Sequence, residues 1–307
     1  MDETQRMLSL LNESFPDLAA LEPAEARLAV DSRIRPAANV DDVAGTEDHA
    51  VDAGGHRISV RVYRPHSRDE AAPLTVFIHG GGYLHGSIEG HDGFCRRWAK
   101  GTASVVISVD YRVSTQTAPP GARDDVLAAI DWAVDAGLAP TGILLAGDSS
   151  GGALAAAAAI ALRDRGASPV VGQVLLYPFL DPSMSSESHR SRATGFFVTS
   201  RLLDYYWRVY LADAAAVPAH DITPYAVDDL TGLPPAIVVT AGLDPLQDEG
   251  EAFAQRLRDA GAPVVLRRYA GQFHGFLTIP GYAPGESAAP VLWSDVRSLT
   301  TQLEEER

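Results

Sequence analysis

Cysteine, basic residues and long apolar runs are scarce in this sequence of 307 residues. The single cysteine, Cys95, excludes a framework of intramolecular disulfides and a metal site built from cysteines. Lysine and arginine together number 25 against 40 aspartates and glutamates, which gives a formal net charge of −15. Because nucleic acids and anionic membranes bind basic patches, this balance argues against both as partners.

Targeting and membrane signals are also missing. No stretch has the length and apolar character of a signal-peptide core or a membrane span. The amino-terminal stretch "MDETQRMLSLLNESF" is acidic and amphipathic. We therefore expect a soluble, cytoplasmic protein without stable membrane association.

What the sequence does contain is an alternation of strand-like and helix-like segments. Hydrophobic residues make up 46% and charged residues 21%, as in an ordinary globular domain. Apolar runs of strand length lie at 58–64, 74–79, 104–111, 142–147, 170–178, 236–242 and 264–271. Helical patterns lie at 124–137, 150–166 and 246–261, and a last helix is expected within 291–307. Several strands are almost continuously apolar, so we predict an α/β fold whose mostly parallel central sheet has helices on both faces.

Two segments interrupt this alternation. Residues 1–45 have the pattern of two short helices without a strand partner. Residues 183–215 stand between two strands and contain an amphipathic helix rich in aromatic residues. An insertion of that size usually lies over the edge of the sheet, where binding sites form.

The stretch "GDSSGG" at 147–152 joins a predicted strand to a predicted helix. A nucleophile at such a turn has a strained backbone, and the residues two before and two after it must be small. For Ser149 these positions are Gly147 and Gly151, whereas for Ser150 the first would be Asp148. The spacing favours Ser149 as nucleophile, and it directs the backbone N–H of Ser150 toward a developing oxyanion. The alternative is a structural turn with a serine capping the helix.

A glycine-rich stretch, "HGGGY" at 79–83, follows an earlier predicted strand. Glycines allow backbone N–H groups to approach a negatively charged oxygen without obstruction by side chains. The alternative is a flexible glycine loop. Two elements of this kind at two strand ends make an oxyanion site the better interpretation.

A nucleophilic serine requires a base and a carboxylate that orients the base. Asp244 follows one predicted strand and His274, in "GQFHGF", follows the next, so the order along the chain is Ser, Asp, His. Side chains beyond the carboxyl ends of neighbouring parallel strands gather at one edge of the sheet. Asp248 is the second candidate for the acid, but an aspartate in its place more often interacts with the helix dipole.

Together these motifs resemble the hormone-sensitive-lipase-like branch of the α/β-hydrolases, bacterial carboxylesterases and lipases with an HGGG motif. The resemblance covers nearly the whole chain. It includes "HGGGY", "HDGFCRRWA" (91–99), "VDYR" (109–112), "GDSSGG", "LLYP" (175–178), "AGLDPLQDEGEAFAQRLRDAG" (241–261) and "HGF" (274–276). The chain departs from the family pattern in the loop "VSTQTAPPGA" (113–122) and at Ser150, where alanine is usual.

This resemblance implies an α/β-hydrolase fold with a helical cap. It implies a catalytic domain of residues 46–182 and 216–307 and a cap of residues 1–45 and 183–215. The triad would be Ser149, Asp244 and His274, and the oxyanion hole would be the amides of Gly81, Gly82 and Ser150. His79 would be structural. The implied activity is hydrolysis of short- to medium-chain carboxylic esters through an acyl-enzyme, without a cofactor or a metal.

Aromatic residues of the insertion suggest an apolar substrate pocket, although packing of the helix on the sheet domain explains many of them equally well. The predicted pocket comprises Tyr83, Tyr177, Phe196, Phe197 and Tyr206. No metal site is predicted, because the spacing of His79, His85 and His91 fits no helix face or known ligand pattern.

Two alternative functions remain open, and so does the oligomeric state. The first alternative is a deacetylase or lactonase acting on a specific metabolite. The second is a ligand receptor on the same scaffold, which the family has produced with the catalytic histidine replaced. For assembly, the last strand, 264–271, is expected to be an exposed edge through which a homodimer could pair, unless Arg267 and Arg268 keep that edge monomeric.

Overall fold

A central sheet of eight strands organises the computed structural model, which describes residues 2–166 and 168–305. The strands are β1 (Gly45–Asp52), β2 (Arg57–Arg64), β3 (Leu74–Ile78), β4 (Val106–Asp110), β5 (Ile143–Asp148), β6 (Val170–Leu176), β7 (Ala236–Ala241) and β8 (Val264–Tyr269). Their order in the sheet is β1-β2-β4-β3-β5-β6-β7-β8. β2 is antiparallel to both of its neighbours, β1 and β4. The other six strands, β3 to β8, are parallel to one another.

Helices and short helical turns connect the strands. The helices are α1 (Glu3–Ser14), α2 (Pro23–Asp31), α3 (Ile88–Thr102), α4 (Gly121–Asp135), α5 (Ser150–Asp164), α6 (Glu187–Ser191), α7 (Ser200–Tyr210), α8 (Ala219–Ile222), α9 (Gln247–Asp259) and α10 (Ala283–Glu305). No helix within the described ranges is both long and apolar enough to cross a membrane.

Both faces of the sheet are covered, which explains why the inner strands are apolar without interruption. In β3, Val76 and Ile78 belong to one core cluster and Phe77 belongs to the other. The first cluster contains buried residues of α4, α5 and α9, and the second contains residues of α3 and α10. Alternate side chains of each inner strand therefore pack on opposite layers of helices. The predicted α/β fold, mostly parallel with helices on both faces, is confirmed.

Several elements differ from the sequence prediction, among them β1, α3 and α10. Strand β1 was not predicted, because seven of its eight residues are exposed and the strand has no apolar alternation. Helix α3 was also not predicted; it contains three glycines, Gly90, Gly93 and Gly101, and glycine has a low helix propensity. Helix α10 begins at Ala283, before the predicted range, and includes Pro290.

The two interrupting segments contact each other in the folded chain. Asn12 of α1 donates from Nδ2 to the carbonyl of Gly195 (2.9 Å) and accepts from the amide of Phe197 (3.1 Å). Tyr205 of α7 donates to the carbonyl of Leu21 (3.0 Å). The amino-terminal segment and the insertion therefore meet, and the division into a catalytic domain and a cap remains a prediction.

Candidate active site

Ser149 occupies a sharp turn between β5 and α5. Its backbone angles are φ 55° and ψ −123°, in the region that residues other than glycine rarely adopt. A Cβ on Gly147 would lie 2.3 Å from the carbonyl oxygen of Gly151, and one on Gly151 would lie 2.0 Å from the carbonyl oxygen of Ile78. The two flanking glycines are therefore what allows the chain to turn here and present the Ser149 side chain.

His274 connects Ser149 to Asp244 by hydrogen bonds. Its Nε2 lies 2.9 Å from Ser149 Oγ and its Nδ1 lies 2.7 Å from Asp244 Oδ2. Asp244 follows β7, His274 follows β8, and all three side chains are buried. The structure thus brings together the three residues that the sequence placed at neighbouring strand ends.

The environment of His274 favours its protonated form. Burial alone would lower the pKa of His274, but the charge of Asp244 and its hydrogen bond outweigh that effect. The result is a pKa of His274 above the ordinary histidine value. An imidazole of raised basicity is suited to accept the proton of a serine hydroxyl.

The loop that carries Asp244 is held in place by α6. Ser188 Oγ donates to the carbonyl of Pro245 (2.6 Å), and Arg192 Nε donates to the carbonyl of Gly242 (2.8 Å). Asp244 itself accepts from the amide of Leu246 through Oδ1 (2.9 Å), which leaves Oδ2 for His274. The insertion between β6 and β7 therefore supports the carboxylate that orients His274.

Asp248, the second candidate for the acid, is engaged elsewhere. Its Oδ2 accepts from the amide of Ser188 (2.8 Å) at the start of α6. The neighbouring Glu249 is buried and binds His189 Nε2 (2.8 Å) and the amide of Leu180 (2.6 Å). Both carboxylates thus anchor the insertion rather than orient His274.

The glycine-rich loop after β3 contributes backbone amides near the turn at Ser149. Gly81 has φ 132°, and a Cβ on it would lie 2.0 Å from the carbonyl oxygen of His85. Gly82 has φ 60°, and a Cβ on it would lie 2.3 Å from the ring of Tyr206. Ser150 is the first residue of α5, so its N–H has no acceptor within the helix. These are the three residues that the family resemblance assigned to an oxyanion hole.

Three of the predicted pocket residues contact this region. Tyr206 lies against Gly82 and its hydroxyl is 2.7 Å from His85 Nε2. The ring of Tyr177 is edge-on to His274 at 4.9 Å between centroids. Phe197 packs edge-on against the ring of Phe273, which precedes His274.

The other two predicted pocket residues are placed differently. Tyr83 is fully buried, stacks on Tyr210 at 4.0 Å and donates its hydroxyl to the carbonyl of Phe179 (3.1 Å). It therefore fixes α7 to the sheet domain. Phe196 is half-buried against the core cluster that contains α10.

Sequence reasoning missed two polar residues next to the site. Asp148, directly before Ser149, is buried and accepts from the amide of Gly80 (2.8 Å). His91 Nε2 lies 3.1 Å from Asp148 Oδ1. The available signal was a charged residue at the end of an otherwise apolar strand, because such a residue is rarely buried without a partner.

Metal ligation finds no support in the part of the chain that the structure describes. There, no group of three or more His, Cys, Asp or Glu side chains is arranged to hold a metal ion. The rings of His79 and His91 instead stack at 5.7 Å, and His79 stacks on Tyr111 at 4.3 Å.

Comparisons with known proteins identify the family of this chain. Residues 75–278 match a family model described as the α/β hydrolase fold. The carboxylic ester hydrolase LipN of Mycobacterium tuberculosis is 34% identical over 299 residues, which cover 94% of this chain and 78% of that protein. The solved structure of the ester-hydrolase EH1AB1 from the metagenome of Lake Arreo, complexed with a bipyridine phosphonate derivative, matches with a TM-score of 0.87. It is 33% identical, with 97% of this chain and 98% of that chain covered.

A receptor is also among the relatives. The gibberellin receptor GID1B of Arabidopsis thaliana is 32% identical over 234 residues, which cover 72% of this chain and 65% of that protein. The match to the family model extends over most of the chain, from β3 to the loop after β8. The family match and the similarity to these relatives show that the chain belongs to the α/β hydrolase fold family.

Proposed function

We propose that this protein is a serine hydrolase that cleaves short- to medium-chain carboxylic esters with Ser149 as nucleophile, His274 as base and Asp244 as the orienting acid. Several relatives are named esterases or ester hydrolases, and the chain is an enzyme of that type. The observation that carries the proposed mechanism is the continuous chain of hydrogen bonds from Ser149 Oγ through His274 to Asp244.

The proposed reaction has two steps. His274 Nε2 takes the proton of Ser149, whose Oγ attacks the ester carbonyl, and the tetrahedral oxyanion accepts hydrogen bonds from the amides of Gly81, Gly82 and Ser150. His274 then gives that proton to the departing alcohol, which leaves an acyl-enzyme. Removal of one oxyanion donor typically lowers turnover about 100- to 1,000-fold.

Water completes the cycle. His274 takes a proton from a water molecule, whose oxygen attacks the acyl-enzyme, and returns the proton to Ser149 Oγ as the acid departs. Throughout, Asp244 fixes the imidazole tautomer and stabilises the imidazolium. No step requires a cofactor.

Two alternatives remain: an enzyme with a different substrate, and a receptor that has lost catalytic activity. A deacetylase or lactonase would use the same triad, so only the substrate separates it from a general esterase. A receptor on this scaffold would lack the catalytic histidine, whereas His274 is present here and bonded to both partners. Catalysis is therefore the proposal that the site supports better.

Turnover of p-nitrophenyl butyrate by the wild type, Ser149→Ala and Ser150→Ala tests the nucleophile. Ser149→Ala should lose at least roughly 1,000-fold in kcat because the acyl-enzyme cannot form. Ser150→Ala keeps its backbone N–H and should lose at most about tenfold. Equal losses in both variants, each folded by circular dichroism, would contradict the assignment.

A covalent label gives an independent readout. A fluorophosphonate reacts with an activated serine, and mass spectrometry of the digested protein should locate the adduct on Ser149. Wild-type protein that neither turns over esters nor takes up this label would reject the proposed function and favour the receptor.

A further inference from the structure

A buried carboxylate lies directly beside the oxyanion loop. Asp148 ends β5, one residue before Ser149, and its Oδ1 accepts from the amide of Gly80 at 2.8 Å. A Cβ on Gly80 would lie 2.6 Å from Asp148 Oδ2. The carboxylate therefore packs on the backbone of Gly80, at a distance that only glycine permits.

His91 balances the charge of this carboxylate. A buried carboxylate is costly unless it is paired and hydrogen-bonded, and His91 Nε2 lies 3.1 Å from Asp148 Oδ1. Burial opposes ionisation of Asp148, but His91 and the amide of Gly80 outweigh it and hold the pKa of Asp148 below its ordinary value. Burial likewise lowers the pKa of His91, and the charge of Asp148 raises it above its ordinary value. Both shifts favour an ion pair between His91 and Asp148.

The same short stretch of backbone is fixed at two further points. His79 Nδ1 lies 2.9 Å from the carbonyl of Gly80 and donates to it, and Tyr111 donates its hydroxyl to the carbonyl of His79 at 2.8 Å. Burial lowers the pKa of His79 to about 3, so its ring is neutral and Nδ1 carries a proton for this bond. Three side chains therefore hold the peptide groups that immediately precede the amides of Gly81 and Gly82.

We propose that Asp148, charge-balanced by His91, is a positioning residue that orients the oxyanion loop relative to the nucleophile. The inference rests on the proposed ester hydrolysis. Because Asp148 and Ser149 are consecutive, the bond from Gly80 to Asp148 ties the oxyanion donors to the same turn that presents the nucleophile. Stabilisation of an oxyanion depends on donors preorganised at hydrogen-bond distance, and a loop free to shift loses this advantage in the transition state more than in the bound substrate.

The test compares Asp148→Ala, which removes the acceptor, with Asp148→Asn, which keeps an oxygen for the amide of Gly80. On p-nitrophenyl butyrate at the pH plateau, Asp148→Ala should lower kcat about 10- to 100-fold and change KM less than about threefold. Affinity for a trifluoromethyl ketone, which forms a tetrahedral adduct with the serine, should fall by the same factor as kcat. Asp148→Asn should recover most of both losses.

Asp125→Ala is the matched control. Asp125 is also buried and also binds a histidine, His56 Nε2 at 2.7 Å; its other hydrogen bonds are to Arg112, and none of them is to the oxyanion loop, residues 79–83. Its kcat should stay within about threefold of the wild type. If Asp148→Ala does not fold, Asp148→Ser replaces it, because its hydroxyl is too short to reach the amide of Gly80.

Two outcomes would overturn the inference. One is an unchanged kcat and ketone affinity in the folded Asp148→Ala or Asp148→Ser variant. The other is an equal loss in the Asp125→Ala control. Failure of the proposed function is distinct, since the wild type would then show neither ester turnover nor labelling by the fluorophosphonate.

Discussion

Steric limits at single residues explain why the site could be anticipated from the sequence. A serine with φ 55° between glycines whose Cβ atoms would clash with backbone oxygens is the consequence of the G-x-S-x-G spacing. The positions of Asp244 and His274 followed from strand ends, which apolar runs reveal. In each case the signal lies in a short stretch of sequence, either the spacing of glycines or the end of an apolar run, although the contact that requires Gly151 is made with Ile78 of β3.

The polar partners of these residues could not be anticipated in the same way. His91 and Asp148 are 57 residues apart in the chain and meet only because α3 packs against the end of β5. Ser188 and Asp248 are 60 residues apart and meet where α6 contacts the start of α9. Such pairs depend on the register of packing between elements, which a single sequence does not encode in any short pattern.

The pH dependence of turnover should follow the ionisation of His274. His274 must be neutral to accept a proton, so kcat/KM should rise with pH through its pKa. Since Asp244 raises the pKa of His274 above its ordinary value of about 6.5, the midpoint of that rise should lie above this value. The measurement is kcat/KM for p-nitrophenyl butyrate from pH 4 to 9, corrected for spontaneous hydrolysis.

Asp244→Asn serves as the control for that profile. Loss of the carboxylate charge should lower the midpoint and reduce kcat by roughly 1,000- to 10,000-fold, because the imidazolium loses its stabilising partner. Full activity of the wild type down to about pH 4 would exclude His274 as the base.

At the scale of elements, the buried strands could be predicted from the sequence and the exposed strand β1 could not. The strands β3 to β7 are buried almost throughout and were all anticipated as apolar runs. β1 is held by its pairing with β2 and exposes most of its side chains, so its sequence "GTEDHAVD" resembles a loop. Hydrogen bonding to a neighbouring strand stabilises such an edge without any hydrophobic signal.

Because α5 packs closely on β3, we expect that Gly151 cannot be replaced by a larger residue without loss of stability. In Gly151→Ala the new methyl would lie 2.0 Å from the carbonyl oxygen of Ile78. This oxygen belongs to the backbone of β3, which cannot move as easily as a side chain. This overpacking should outweigh the helix preference of alanine and destabilise the fold by about 1–3 kcal/mol. Urea unfolding followed by circular dichroism measures the change.

Gly271→Ala is the matched control for this substitution. A Cβ on Gly271 would meet no atom within 4 Å, and its φ is not in the left-handed region. Its unfolding free energy should stay within about 0.5 kcal/mol of the wild type. If Gly151→Ala were as stable as this control, the tight turn at Ser149 would not depend on the glycine.

At the scale of the whole molecule, contacts between distant segments limit the expected substrate. Tyr206 of α7 covers Gly82, and Phe197 packs between Phe15, which follows α1, and Phe273, which precedes His274. Bulky rings from both interrupting segments thus surround the site and should restrict its depth. We expect acyl chains of about two to eight carbons to react much faster than long-chain triglycerides, and each buried methylene to contribute about 0.8 kcal/mol until the pocket is full.

A series of p-nitrophenyl esters from acetate to palmitate, compared with emulsified triolein, measures this preference. The value of kcat/KM should pass through a maximum within the series and fall beyond it. Hydrolysis of triolein at an equal or higher rate, with activation at the lipid interface, would contradict the restricted pocket and indicate a lipase.

The edge strand β8 is the expected site of assembly. It pairs with β7 on one side only, and Val265 is 38% exposed on it. Arg267 and Arg268 are paired with Asp295 and Glu251 of the same chain, so their charges are compensated at this edge. An edge of this kind can pair with a second copy, and we expect a homodimer through residues 264–271.

Light scattering of dilute protein decides between this dimer and a monomer of 32.6 kDa. Val265→Lys places a charge near the start of the edge strand and should convert the dimer to a monomer, because lysine on an edge opposes strand pairing. Val134→Lys, which alters a similarly exposed valine on α4, should leave the dimer intact. A wild type that scatters as a monomer at every concentration, or a dimer that tolerates Val265→Lys but not Val134→Lys, would place the interface elsewhere or remove it.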